Sequence, residues 1–559
     1  MDIQRVLILL GLAVTSYMLI LAWNEDYYQG STQTPAESVV INQSSSLGDI
    51  LPTISESTPV GPADIVPTLE GEDIAPEVVA VQVPRNLVTV TTDVLVIKID
   101  TLGGDIVSVA LPKFPAQLET PDVPFVLVDP KNLYVAQSGL IGPSGTDKQG
   151  FRPTFTAEST SFEMGDAPEL TVTLTTVQQD GSRILKSYHF TRGEYLIEVD
   201  YHITNLGRDS WKGGLFAQIK RDGQSPASSS ENRMGMQPYV GGATRSDEEL
   251  YRKLEFDDIE EESYRLTLDE GYIAMVQHYF VSAWVPREVI GNTYRGRKLK
   301  DQDIYLFGLT TPPVTIAPGE TGTIGASFYA GPKDQYRLEE IATGLELTTD
   351  YGFLWWLAQP LFFMLTGIHS FVGNWGLAII GLTIIVKSCL YPLSAASFRS
   401  MAKMRKLQPE MARLKERFGD DRQQFSQAMM ELYKKEGANP LGGCFPILLQ
   451  MPVFLALYWT LMESVELRQA PFFLWIHDLS AMDPYFILPI LMGISMFLTQ
   501  RMQPEPPDPV QAKVFKFMPI MFTFFFLWFP SGLVLYWLVN NILSILQQVY
   551  VTRQLEKAS

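Results

Sequence analysis

Cysteine is nearly missing. The 559-residue chain has two, Cys389 and Cys444, and neither falls between residues 24 and 350. A small fold stapled by disulfides is therefore excluded there, and an exported domain must stand on its own core; about 250 residues can supply one. Chemistry-bearing motifs are scarce too. No G-x-x-x-x-G-K-[ST] phosphate loop occurs, which argues against an ATP motor, and there is no H-E-x-x-H, C-x-x-C or G-x-S-x-G. A Ser–Lys protease needs both groups on one helix face, but Ser388 is adjacent to Lys387 and points elsewhere. His189, His202 and His278 lack metal-ligand spacing and read as ordinary strand residues. No metal, cofactor or small-molecule substrate is expected, and no enzyme activity.

Positive charge is short as well: 43 Lys and Arg face 62 Asp and Glu, a net of −19. Residues 24–350 hold 48 acidic and 25 basic residues, net −23, and the rest of the chain is net +4. An acidic soluble block thus joins a mildly basic apolar one, the opposite of a nucleic-acid binder.

What the chain does have is apolar length. Val6–Trp23 follows Arg5 and suits an uncleaved membrane anchor, residues 1–23, with its N-terminus inside. Residues 24–80, rich in Ser, Thr, Pro and acid, read as a flexible tether. Residues 81–332 alternate in the β manner. Leu87–Ile99, Leu170–Val177, Tyr195–Ile203, Tyr272–Trp284, Ile304–Leu309 and Thr323–Tyr329 are the strand candidates, uninterrupted by any long helical pattern. This predicts an external antiparallel β-sandwich.

Residues 333–374 turn helical, and Phe353–Phe371 reads as an amphipathic helix in the outer interface. Trp375–Leu393 is the second span. Residues 394–440 carry ten basic residues and stay in the cytoplasm. They read as an αα-hairpin, Arg399–Phe418 and Arg422–Glu436, with Met401, Met404, Met411 and Met429 on its apolar side. That hairpin is either simply self-packed or an adaptable surface for client segments. Residues 441–559 hold the remaining spans. Gly443–Met462 and Pro484–Gln500 are the third and fourth. Phe517–Val551 is too long for one crossing and folds at Pro530-Ser531-Gly532 into Phe517–Phe529 and Leu533–Val551. Six spans result, with both termini internal and residues 24–350 external.

Lys387 is the only charge between Trp375 and Leu393. A charge at a helix centre costs ~2.5–3.5 kcal/mol on insertion scales. Its stem could snorkel to the inner headgroups, or its ammonium could face a polar groove inside the bundle. Thr383 one turn away, with Gln450, Ser495, Thr499, Thr523, Asn540, Asn541 and Ser544 in other spans, favours the groove.

Several long runs resemble the YidC family of membrane protein insertases. They are Asn439-Pro440-Leu441-Gly442-Gly443-Cys444-Phe445-Pro446, Val465-Glu466-Leu467-Arg468-Gln469-Ala470-Pro471-Phe472, Trp475-Ile476-His477-Asp478-Leu479 and Leu527-Trp528-Phe529-Pro530-Ser531-Gly532. The resemblance implies a polytopic helical membrane protein with a five-helix core around a hydrophilic groove and an external all-β supersandwich domain, in a bacterial inner membrane. It matches the family's groove arginine to Lys387 and its client-meeting aromatics to Tyr536 and Trp537, which with Thr383, Gln450 and Asn540 from the polar pattern make the expected groove. Nascent membrane proteins, the Sec translocon, the ribosome and membrane lipids are the implied partners, and insertion and folding of membrane proteins the implied activity. A polar-cavity transporter or channel is the alternative, although no internal repeat accompanies it.

Overall fold

The protein is represented by a computed structural model that describes residues 86–148, 150–224, 238–287, 290–299, 302–418, 421–436, 445–503 and 509–558. The expected anchor and tether lie outside these residues.

Alternating β-branched and aromatic residues build two sheets of eleven and nine strands. In Leu196–Thr204, Ile197, Val199, Tyr201 and Ile203 are all buried, while Glu198 and His202 point the other way. That strand pairs antiparallel with Thr321–Pro332 and Arg183–Thr191. The two sheets close on a shared core that includes Trp211, Trp284, Tyr201 and Phe328. The all-β sandwich expected from the alternation is present.

Three details differ from the sequence reading. Leu87–Ile99 is two strands, Leu87–Thr91 and Val96–Asp100. Tyr272–Trp284 is a hairpin of Ile273–Val276 and Phe280–Pro286. Its turn is set by Tyr279 at φ 66°, a left-handed conformation that apolar alternation does not announce. A short helix, α1 (Phe256–Glu261), also interrupts the strands; six residues are too few to show a helical period.

Inside the sandwich sits a buried ionic knot. Lys186 is fully buried and donates to the carbonyls of Gly103 (3.0 Å), Gly104 (2.7 Å) and Ser138 (3.2 Å). Arg152 pairs with Asp105 and, at 3.2 Å, with Asp147. Gly103 and Gly104 turn at φ 75° and 65°, and a Cβ on Gly103 would lie 2.2 Å from the Arg152 guanidinium. The turn therefore needs glycine on both counts.

The helical half follows from α2 (Gln335–Ile341) through α3 (Trp355–Val372), α4 (Trp375–Cys389), α5 (Tyr391–Lys406), α6 (Gln408–Phe418), α7 (Arg422–Lys435), α8 (Phe445–Glu463), α9 (Ile487–Arg501), α10 (Pro509–Phe525) and α11 (Ser531–Ala558). Gly373 closes α3 in the left-handed region, and the Asn374 side chain caps α4 by accepting from the Leu377 amide at 3.0 Å. Leu365, Leu382, Leu461, Met492 and Leu533 bring α3, α4, α8, α9 and α11 into one apolar core.

The expected second span, residues 375–393, ends early. α4 stops at Cys389 and the chain bends by 66° into α5, which carries Pro392 in its first turn. The expected helix Arg399–Phe418 likewise divides at Leu407, before Pro409. The break at Pro530 is present, separating α10 from α11.

Among the described residues, one helix segment, Ser531–Leu555, is long and apolar enough to cross a membrane alone, and α4 with α5 qualifies as a bent pair. Among the described residues, helix length and composition thus mark one or two of the five spans expected there. Shortness accounts for part of the difference. α4 and α9 have 15 residues each, about 22 Å at ~1.5 Å per residue, against a hydrocarbon core of about 30 Å.

Candidate functional site

Three helices converge on Lys387. It lies in the last turn of α4 and is 6% exposed. Its Nζ donates to Ser544 Oγ of α11 at 2.8 Å and to Gln450 Oε1 of α8 at 3.4 Å. The amine is therefore turned toward α8 and α11. Gln450 Nε2 donates in turn to Asn540 Oδ1. Ser544 Oγ reaches back to the Asn540 carbonyl at 2.7 Å. Each neutral group orients the next, and the ammonium is the only charged member.

Further polar pairs line α9 and α11 beside this network. Asn541 Nδ2 donates to Ser495 Oγ at 3.0 Å, and Gln548 Nε2 donates to the Met502 carbonyl at 3.0 Å. Thr383 is buried, but its hydroxyl is spent on the Ile379 carbonyl of its own helix at 2.6 Å. Tyr536 is buried and stacks on Phe454 with 6.5 Å between ring centroids. Half-buried Trp537 meets Phe454 edge-on at 4.6 Å and Phe526 at 5.4 Å. Its indole N–H finds no acceptor among the described residues. The structure thus joins Lys387, Gln450, Asn540 and Ser544 in one network, sets Tyr536 and Trp537 in the aromatic packing, and leaves Thr383 with only its own helix as partner.

Backbone hydrogen bonds tie the start of α11 to the loop that precedes α9. The turn at Pro530-Ser531-Gly532 donates from the Ser531 amide to the Ala481 carbonyl (2.7 Å) and from the Gly532 amide to the Leu479 carbonyl (2.9 Å). Asp483 holds the strand of loop above it. Its carboxylate accepts from the Trp475 indole (3.0 Å) and from the Tyr485 (3.0 Å) and Leu488 (2.7 Å) amides.

At the hairpin, Met401 and Met404 are buried with Ala395, Phe398 and Tyr433 against Val551 of α11. Met411 and Met429 flank that cluster half-buried, and Tyr433 donates to the Met411 sulfur at 3.2 Å. The methionine that faces outward is Met430. The hairpin is self-packed onto the end of α11, so Met401 and Met404 form part of its core.

The sequence reading missed the contact between the two halves of the molecule. Lys333 and Glu463 form an ion pair at 2.8 Å with side chains 1% and 3% exposed. His278, read as an ordinary strand residue, reaches the Met462 carbonyl at 2.9 Å. No local pattern links residues so far apart in the chain.

Residues 367–558 match the family model described as 60Kd inner membrane protein, and residues 87–364 match that of the YidC periplasmic domain. The chain belongs to the YidC family. The "Membrane protein insertase YidC" of Cellvibrio japonicus is 51% identical over 564 residues, covering 100% of this chain and 99% of that protein. The proteins of that name from Stutzerimonas stutzeri and Pseudomonas putida are 50% and 49% identical at the same coverage. A solved structure described as an active YidC insertase with its first transmembrane domain resolved is 16% identical, covers 84% of this chain and 94% of its own, and superposes with a TM-score of 0.37. The YidC assignment makes the chain an inner-membrane insertase with a periplasmic all-β domain and a helical C-terminal region. The boundary between the two family matches falls within α3, just beyond the linker that leaves the sandwich.

Proposed function

We propose that this chain admits the polar external segment of a nascent membrane protein to the seam around Lys387 and releases the client's apolar helix sideways into lipid. The observation that carries this is the Lys387 ammonium, held by Gln450 and Ser544 between α4, α8 and α11. A buried cation without a carboxylate partner is costly for a helix bundle. It attracts an acidic segment over several ångströms, because the surrounding dielectric is low. Burial of the client's apolar surface, with the membrane potential acting on its charges, drives the transfer. No bond is made or broken.

In this reading the expected six spans are retained, with both termini cytoplasmic and several spans short. Short helices thin the bilayer beside the seam and lower the barrier for polar peptide. α3 lies in the outer interface, where Phe353, Trp355, Trp356 and Phe371 are exposed. The basic hairpin faces the ribosome and anionic lipid, and the Sec translocon is the partner for larger clients. Trp537 and Tyr536 offer the aromatic side of the exit path.

The test is a photo-crosslinker at position 383 or 537 during synthesis of a small membrane protein. Capture of the nascent chain at these positions, and weaker capture at lipid-facing controls such as Ile494, is expected. Capture at the controls alone would refute the seam as the route.

A further inference from the structure

The outer end of α8 is finished by residues of the β domain. A helix leaves its last four carbonyls without intrahelical donors and carries a partial negative charge there. In α8, the Thr460 carbonyl accepts from the Ser464 amide at 3.2 Å and from its hydroxyl. The Met462 carbonyl accepts from His278 Nε2 at 2.9 Å; a carbonyl only accepts, so that nitrogen carries the hydrogen. Glu463, the final residue of α8, is neutralised by Lys333 at 2.8 Å. Two residues further on, Val465 is buried in the sandwich core.

His278 and Lys333 are held together before they meet the helix. The Lys333 amide donates to the Tyr279 carbonyl at 2.9 Å, and Phe280 pairs with Pro332 in the sheet. The His278 ring stacks on Tyr279 with centroids 3.5 Å apart. Arg468, just past α8, donates to the Pro115 carbonyl at 2.6 Å and lies over the Phe125 and Phe280 rings. The sandwich therefore presents a rigid donor and a rigid cation to one helix end. At the other end of that helix, Gln450 meets Lys387.

We infer that His278 and Lys333 cap α8 from outside the helical core, and that this cap sets Gln450 against Lys387. The inference rests on the seam reading above. It makes His278 and Lys333 positioning residues for insertion and couples the periplasmic domain to the groove through one helix. A merely adhesive contact would hold the domain in place without affecting α8.

The test uses the full chain in membranes, with Cys389 and Cys444 replaced by serine and spin labels on the exposed residues Met451 of α8 and Leu546 of α11. Lys333→Met strands the buried Glu463 carboxylate. Client insertion is expected to fall on the order of tenfold, with a broadened 451–546 distance distribution. His278→Phe should do the same, and His278→Gln, which keeps a donor, should not. The double variant Lys333→Met/Glu463→Met removes both charges and should restore folding, the narrow distribution and most of the insertion. Parental insertion by Lys333→Met, or lost insertion with an unchanged distance distribution, would overturn the cap. Lys387→Met measured alongside separates the two readings: if it inserts normally the seam itself is wrong, whereas a defect there beside a normal Lys333→Met rejects the cap alone.

Discussion

Replacing Lys387 by methionine should stabilise the protein while disabling it. The shapes are similar, so the packing between α4, α8 and α11 survives. The substitution removes a buried cation whose cost reaches ~2.5–3.5 kcal/mol at a helix centre on insertion scales. It also removes two hydrogen bonds, to Ser544 at 2.8 Å and Gln450 at 3.4 Å. Ser544 Oγ and Gln450 Oε1 both lose the lysine as donor. Ser544 still donates to the Asn540 carbonyl and Gln450 keeps its amide bond to Asn540, so Gln450 Oε1 is the one atom of the network left without a hydrogen bond. An orphaned buried acceptor costs about 1–3 kcal/mol. The balance is a gain of about 1 kcal/mol. Activity should move the other way. At ~5 Å and an effective dielectric near 20, a carboxylate gains about 3 kcal/mol from the ammonium; even half of that is a tenfold effect on occupancy. Thermal unfolding in nanodiscs and insertion of a client with an acidic external segment, measured on one preparation, decide the matter. A variant that melts markedly lower, or that inserts the client at the parental rate, would refute the claim that this charge is kept for function at the expense of stability.

Charge identity at the same position gives a second prediction. Lys387→Arg should insert acidic clients nearly as well as the parent, and Lys387→Glu at least tenfold worse, since the attraction becomes repulsion; equal rates for all three would remove the charge from the mechanism. At the outer junction, burial and nearby Asp334 push the Glu466 carboxyl up to about 7 from 4.5. The folded protein then holds a proton that the unfolded chain releases, so stability should fall by about 1–3 kcal/mol as pH rises from 4.5 to 7 and level off above. Glu466→Gln should flatten that fall, as read from melting temperature against pH. Gly493→Ala tests the close approach of α9 and α10. Its Cβ would lie 1.9 Å from Thr523 Oγ1. The ~1 kcal/mol usually gained by Gly→Ala in a helix should become a loss of about 1–3 kcal/mol, recovered in Gly493→Ala/Thr523→Ala.

Much of the architecture was legible because it is written in periodicity and in runs. Two-residue alternation found Leu196–Thr204 to within a residue at each end and the middle of Thr321–Pro332. Pro530-Ser531-Gly532 marked the fold-back between α10 and α11. Elements whose cause is conformational were harder. The left-handed turn at Tyr279 and the six-residue helix α1 leave no periodic trace, and Pro392 ended α4 sooner than its apolar run did.

The site divides in the same way. A lone lysine in an apolar run, with amides and hydroxyls in neighbouring runs, is visible in one dimension because apolar solvent makes each polar residue conspicuous. Composition cannot say which of those groups touch. Only the packing of α4, α8 and α11 selected Gln450 and Ser544 as partners of Lys387, spent Thr383 on its own helix, and drew Met401 and Met404 into the hairpin core. The Lys333–Glu463 pair and the His278 contact were beyond any reading of the chain, since charged residues are common in an acidic external domain and nothing local distinguishes the few that become buried. Amino-acid order determines which segments prefer strand, helix, water or lipid, because those preferences act over a few residues. Which buried polar groups meet is decided by long-range packing, where a shift of a few ångströms separates a hydrogen bond from an unpaired charge.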